Sequence, residues 1–438
     1  MKKFVLLLSL LVIAQISFGQ WTQSLSFYAN KCKINIGAAV GSPYFNNFGT
    51  RSIFDLTVKN NFNMLVAEND MKYNAMEPQK GVFNFTTADK LVEYAYLDGM
   101  KVRGHTLCWH SQLPSWVNAG LTNGIANGVF TRTTLLAILK NHITTIMTHY
   151  KGLVPQWDVL NEPFSDSNGA LRNSIWQQVI GNDYIDSVFV WARRADPSAK
   201  LYLNDYSVER MGSTKGDAMF NYIKGMTDRN IPIDGAGFQC HFGMPVDHAA
   251  IDRNIKRYAA IGVEVIFTEI DIRILKTDYD ANKASQLALQ AENYRKLIRL
   301  CLDNPNCKTF VTWGFTDLYS WIPNAMAGYD YALLFDKELV AKPAYLSILN
   351  ELALESQKTA VNDIEINDLL KIQKADNRII VLSEKMMTQS QVFDVQGRCV
   401  FSSSNRSTEL EIPADKIQKG IYILKVQLEN GQVVLKKF

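Results

Sequence analysis

Glu264–Ile272 reads EVIFTEIDI: an apolar run, Val265-Ile266-Phe267, followed by Glu269 and Asp271 two residues apart. A strand that is apolar on both faces belongs in a parallel sheet covered on both sides. Carboxylates near the carboxyl end of such a strand break the pattern. Pro155–Glu162, PQWDVLNE, repeats the design and ends on Asn161-Glu162. Working outward, the same kind of run recurs at Lys33–Val40, Asn63–Glu68, Lys101–Trp109, Lys200–Tyr206, Gly235–His241 and Thr309–Thr316. Longer amphipathic stretches separate these runs and read as helices, clearest at Thr133–His149, Ile175–Arg194, Ala249–Ala260, Ser285–Leu302 and, after the last strand, Lys342–Glu355. Eight strands each followed by a helix, between Trp21 and Ser356, predict an α/β fold, a (β/α)8 TIM barrel. An open doubly wound sheet would carry a Gly-rich phosphate turn after its first strand, and none is present.

Polar residues crowd the carboxyl ends of these strands: Glu68-Asn69, His105, Asn161-Glu162, Asn204-Asp205, Gln239 with His241, Glu269 with Asp271, and Trp313. In a barrel these ends share one rim, where barrel enzymes keep their active sites. Two carboxylates with hydrogen-bonding neighbours and no metal cage suit acid/base and nucleophilic work on a glycosidic bond. A barrel that held polysaccharide without cleaving it could dispense with either glutamate, yet both are present.

The chain has 438 residues, 47% hydrophobic and 20% charged, enough for one large domain and a small one. A net charge of +3 leaves no basic footprint for nucleic acid. Met1–Gln20 opens on Lys2-Lys3, continues as FVLLLSLLVIA and ends among small residues, which is a signal-peptide pattern. Its apolar run is too short to span a bilayer, so export and no membrane span in the mature chain are expected. Six cysteines in this length make no disulfide scaffold. Cys301 and Cys307 alone lie close together; Cys32, Cys108, Cys240 and Cys399 sit in apolar stretches and read as buried thiols. Trp157, Trp176 and Trp191 read as core, and His142 and His149 as structural residues on a helix. No metal-ligand spacing or calcium loop is present, and no cofactor is expected.

WDVLNEP (157–163), FTEIDI (267–272), VRGHTLCWHSQLPSW (102–116), VAENDMK (66–72), LYLNDY (201–206), GFQCH (237–241), TWGFTDLYSW (312–321) and LLFD…KPAY (333–345) stand in a particular order. Together they resemble glycoside hydrolase family 10, the retaining xylanases, from about Ile36 to Tyr345. The resemblance implies Glu162 as acid/base and Glu269 as nucleophile. It implies that Asn161 bonds the sugar 2-hydroxyl, and that His241, oriented by Asp271, touches Glu269. Glu68, Asn69, Lys72, His105, Trp109 and Gln239 would line the glycone side, with Trp313 and Trp321 as its aromatic wall. The implied substrate is xylan or a xylo-oligosaccharide, the implied state a monomer, and a Cys301–Cys307 bridge is common in the family. A β-1,4-glucanase or a mixed-specificity enzyme would share the mechanism. Asp70 and Tyr73 stand where relatives more often have Glu and Trp, and Ser207 where Asn is usual.

Gln357–Asn377 is polar and reads as a linker; Arg378–Phe438 alternates like short strands, with turns at Gln396-Gly397, Lys419-Gly420 and Asn430-Gly431. A small all-β sandwich is expected there. VFDVQGRCVF, GIYILKVQ and the terminal VVLKKF resemble the sorting domain of the type IX secretion system, which implies the secretion machinery as a partner. A carbohydrate-binding module is the alternative, but one Tyr and no Trp make a poor platform for sugar rings.

Overall fold

The computed structural model describes residues 23–438 apart from 369, 376–377, 395–396, 418–419 and 432. The expected signal segment Met1–Gln20 lies outside the described residues, as do Gln396 and Lys419 of two expected turns. By contact the chain forms two units, Met1–Ala353 and Leu354–Phe438.

In the first unit, β1 (Asn35–Val40), β2 (Met64–Ala67), β3 (Lys101–Cys108), β4 (Gln156–Asn161), β5 (Lys200–Asp205), β6 (Gly235–Phe238), β7 (Glu264–Ile272) and β8 (Cys307–Thr312) pair in sequence order. All pairings are parallel, and β8 joins both β7 and β1, so the barrel closes. Helices α1 (Ile53–Asn61), α2 (Thr86–Leu97), α3 (Arg132–His149), α4 (Tyr184–Ala195), α5 (Thr214–Asp228), α6 (His248–Ala259), α7 (Lys283–Asp303) and α8 (Pro343–Asp368) follow the strands in turn. Polar caps fix where several begin: Ser52, Thr131, Ser213, Asp247 and Asn282 each accept a backbone N–H from the first turn. Among the described residues no helix is long and apolar enough to cross a membrane.

The strand interiors are buried as the sequence requires, with β2 and β6 buried throughout. Where β3 lies against β4, a Cβ on Gly104 would come within 2.2 Å of the Trp157 ring, so only glycine fits there. The helix expected over Ile175–Arg194 is two helices, Ile175–Ile180 and α4, because Gly181 turns the chain at φ +95°. The strand expected over Gly235–His241 stops at Phe238, and His241-Phe242 pairs separately with Asp271-Ile272. Cys240, at φ +66°, makes that break. Cys301 on α7 and Cys307 on β8 form a disulfide across the connecting turn. Cys108 and Cys240 are buried thiols, but Cys32 is half-buried and Cys399 is exposed. Cys399 opens a strand whose next two residues, Val400 and Phe401, are only half-buried, so its apolar sequence context does not bury it. Trp157 and Trp176 are in the core, while Trp191 is half-buried against it.

In the second unit, β9 (Leu370–Ala375), β10 (Arg378–Phe393), β11 (Cys399–Ser403), β12 (Ser407–Pro413), β13 (Ile423–Leu428) and β14 (Val433–Lys437) form a small antiparallel all-β domain. The long β10 serves two groups of strands. Its first part pairs with β9 and β12, its last part with β11 and β13, and the register shifts in between. Leu370, Val381 and Ile412 from one group meet Val392, Leu424 and Val426 from the other in one apolar cluster. The stretch 357–377, expected to be a linker, holds the end of α8 and all of β9. Its polar residues alternate along β9, with Leu370 on the buried side, which is how a half-exposed strand conceals itself in a polar sequence. Gly397 and Gly431 turn the chain at φ +79° and +82°.

Candidate active site

Glu162 and Glu269 leave the carboxyl ends of β4 and β7. Glu269 is buried, 4% exposed, and its side chain is gripped from two directions. The Asn204 amide donates to Oε1 at 2.8 Å, and His241 Nε2 lies 3.3 Å from Oε2. The other ring nitrogen of His241 meets the fully buried Asp271 at 2.7 Å, and Trp321 Nε1 donates to the same Asp271 oxygen at 2.8 Å. Burial alone would push the Glu269 carboxyl up. The His241 hydrogen bond and the positive charge of His105, His241 and Arg103 outweigh it and bring the pKa down to about 2. Burial opposes the charge on His241 as well, yet Asp271 and Glu269 raise its pKa to about 10. Glu269 is therefore an anion, and His241 a cation, through neutral pH.

Glu162 is more open, with a side chain 14% exposed. Trp109 Nε1 donates to its Oε2 at 3.0 Å; the amides of Gln239 and Asn161 donate to its Oε1 at 3.1 and 3.3 Å. A run of polar side chains links the two glutamates. Thr268 Oγ1 donates to Asn204 at 2.7 Å, and Asn204 donates to both Glu269 and Asn161, the latter at 2.8 Å. Asn161 then reaches Glu162. Each amide is thus oriented before any ligand arrives.

The remaining expected residues gather on the same rim. Lys72 is buried with its ammonium 3.0 Å from Asn69 and 2.6 Å from Gln112, 5.0 Å from the Trp109 ring centre and 5.9 Å from that of Trp313. Burial draws its pKa down, and the carboxylates of Glu269, Glu68, Glu162 and Asp70 resist. Burial pushes Glu68 up, opposed by Lys72. His105 lies edge-on to Trp313 with ring centres 5.2 Å apart, and Trp321 packs against the same cluster. His105, Asp158 and Glu269 each offer a ligand-type atom within 4.8 Å of the others. One oxygen of Asp158, however, is taken by His105 at 2.7 Å and by a close ion pair with Arg103, so Arg103, Asp158 and His105 form a buried ionic cluster whose positive charges favour the Glu269 anion.

Residues 24–351 match glycosyl hydrolase family 10. The chain belongs to that family. It is 37% identical over 349 residues to "Endo-1,4-beta-xylanase B" of Thermotoga neapolitana, covering 80% of this chain and 97% of that one. It is 40% identical over 323 residues to "Exoglucanase XynX" of Acetivibrio thermocellus, covering 72% of this chain and 28% of that protein. Xylanase 10B from Thermotoga petrophila RKU-1, solved with xylobiose, superposes with TM-score 0.70 at 39% identity, covering 76% of this chain and 98% of that one. Residues 357–438 match a domain of unknown function, DUF8694.

The family 10 barrel is a hydrolase, and its expected site residues lie together on the rim. Sequence reading gave no role to Arg103 and Asp158, the ion pair beneath His105, or to Asn204, the bridge between the glutamates. Both kinds of residue carried a signal. Arg103 and Asp158 are charged residues inside strands that should be apolar throughout, and Asn204 is a polar residue at a strand end. Arg172, whose guanidinium donates to the backbone carbonyls of Glu162 and Phe164, gave no such signal, since it lies in a loop. Of the two histidines read as structural, His142 is buried against Glu77 at 2.8 Å and His149 meets Asp89 at 2.9 Å.

Proposed function

We propose that the protein is a secreted endo-β-1,4-xylanase that cleaves internal bonds of xylan with retention of anomeric configuration. The observation that carries this reading is the pairing of a buried, ionised Glu269 with an amide-linked, more open Glu162. A nucleophile must stay deprotonated, and the His241–Asp271 pair supplies that at Glu269. In the first step the Glu269 carboxylate attacks the anomeric carbon while Glu162 protonates the departing sugar oxygen. In the second, Glu162 takes a proton from water, which displaces Glu269 from the glycosyl-enzyme. Asn161 stands between the two and would bond the 2-hydroxyl. Glu68, Asn69, Lys72, His105, Trp109 and Gln239 would hold the glycone sugars against Trp313 and Trp321. A β-1,4-glucanase is the second reading, favoured by the likeness to an exoglucanase. Xylose lacks the C6 hydroxymethyl, so steric exclusion beside Trp313 and Trp321 separates the two. For the second unit we propose sorting through the type IX machinery, on the strength of the GIYILKVQ and VVLKKF motifs.

Chromatography of products from xylan, arabinoxylan and carboxymethyl cellulose tests the substrate. Xylobiose and longer xylo-oligosaccharides are expected from the xylans; release from carboxymethyl cellulose alone would overturn the assignment. Stereochemistry is read with Glu162→Ala on an aryl β-xylobioside. Added azide is expected to restore turnover as a β-glycosyl azide, whereas an α-product would mean direct displacement by water.

A further inference from the structure

The backbone at Glu162 is left-handed, φ +53°. Residues with a Cβ seldom adopt that conformation, and it persists only where the surroundings enforce it. The enforcement is visible on both sides of the segment Glu162–Phe164. On one side Arg172 Nε donates to the Glu162 carbonyl at 3.1 Å, and an Nη of the same guanidinium donates to the Phe164 carbonyl at 2.9 Å. On the other, the Phe164 N–H donates to the fully buried Asp205 carboxylate at 3.2 Å, while the Glu162 N–H donates to the Asn204 carbonyl at 2.8 Å. These two grips belong to one ion network. Asp205 pairs with Lys215 at 2.8 Å, Lys215 with Asp166 at 2.9 Å, and the Tyr206 hydroxyl stands between Asp166, 2.6 Å away, and Arg172, 3.2 Å away. Arg172 itself returns to the segment because Phe164 and Leu171 bridge and its N–H meets the Pro163 carbonyl at 2.6 Å. Neither Arg172 nor Asp205 hydrogen-bonds the Glu162 carboxylate; the bonds they make to Glu162–Phe164 fall on its backbone. That backbone sets where the carboxylate points, which is towards Trp109 Nε1 at 3.0 Å.

We propose that Arg172, braced by the buried Asp205–Lys215 pair, is a positioning residue for proton transfer: it holds the left-handed turn at Glu162 and so aims the acid/base at the glycosidic oxygen. The proposal rests on the assignment of Glu162 as acid/base. Two donors of one planar guanidinium fix the carbonyls of Glu162 and Phe164 relative to each other, which a lysine with its single point of charge cannot do. Misplacing a catalytic group by about 1 Å costs on the order of 10²-fold, and the loss should fall on the steps that use that group. A staple that merely holds the loop would instead weaken every substrate alike.

Leaving-group dependence separates the two. Arg172→Ala and Arg172→Lys would be compared with the unaltered chain on xylohexaose, which needs protonation of a poor leaving group. The companion reaction is the burst of phenol from 2,4-dinitrophenyl β-xylobioside, whose first step needs no acid. The expected result for Arg172→Ala is a fall of about 10–100-fold in kcat on xylohexaose with KM within about threefold, and a burst rate constant also within about threefold. Should Arg172→Ala fail to fold by circular dichroism, Arg172→Lys, which keeps the charge, reads the same ratio. Equal losses in both reactions, or no loss in either, would overturn the proposal. If the unaltered chain leaves xylohexaose intact, the substrate assignment is what fails, and cello-oligosaccharides with the matching aryl cellobioside read the same ratio.

Discussion

Asp271→Asn tests how Glu269, the proposed nucleophile, is kept ionised. The substitution preserves shape but removes the charge that sustains a protonated His241. Glu269 is brought from an ordinary 4.5 down to about 2, an effect of about 3 kcal/mol at ~1.4 kcal/mol per tenfold. Burial, the largest single influence on Glu269, acts in the opposite direction. Without a cationic His241 the carboxyl should return towards 4.5, held short of a larger rise by Arg103 and His105. The assay is kcat/KM against pH with 2,4-dinitrophenyl β-xylobioside, because its first step does not report Glu162. The acidic limb is expected to move up by about one to two pH units, so that at pH 4 the variant keeps roughly half to nine-tenths of its plateau while the unaltered enzyme keeps nearly all. Stability should respond with a definite sign. Glu269 is depressed in the fold, so its contribution is present above 4.5 and fades as pH falls towards 2. His241 is raised, so its contribution is full below 6.5 and fades as pH climbs through about 10. Melting temperature across pH 6.5–10 should therefore decline less in Asp271→Asn than in the unaltered chain. An acidic limb that stays in place would refute the reasoning, since His241 would then owe nothing to Asp271.

Four further outcomes are expected. Glu162→Ala should lose roughly 10²–10⁴-fold on xylan while the burst with an acidic phenol survives; Glu269→Ala should fail on every substrate. Gly104→Ala forces a Cβ into the Trp157 ring and should destabilise by about 1–3 kcal/mol or more, read by denaturant midpoint; an unchanged midpoint would mean the strands can part there. Replacing Cys301 and Cys307 together by Ser should lower stability by about 2–3 kcal/mol in the chain-entropy account of so short a loop, and thiol mapping of the oxidised protein should find neither cysteine free. Removing residues 357–438 should leave hydrolysis of xylan unchanged in vitro but retain the enzyme inside its native host; normal export of the shortened chain would refute the sorting role.

The barrel was legible because its strands announce themselves twice, by apolar interiors and by polar carboxyl ends. β7 was placed to the residue, Glu264–Ile272. Most other bounds moved inward where the chain turns: Glu162, read as the last residue of its strand, is left-handed and lies just beyond β4. Periodicity also fused two helices across Gly181, because amphipathic spacing survives a one-residue break that only backbone geometry reveals. Glu162, Glu269, His241 and Asp271 could be named from strand ends and motif order. The Thr268–Asn204–Asn161 relay could not, since pairing among amides depends on which strands become neighbours. Arg172 was beyond reach for a different reason. It acts on carbonyl groups, and every residue has one.

The sixteen-residue β10 gives the second unit an unusual mechanical property. One segment is the spine of both strand groups, so neither group can be peeled away while the other stays whole. Partial loss of this domain, by a nick or by truncation within Arg378–Phe393, should therefore resemble total loss. A portable version of this domain, fused behind another barrel to test the proposed sorting role, must begin ahead of Leu370 and run unbroken to Phe438.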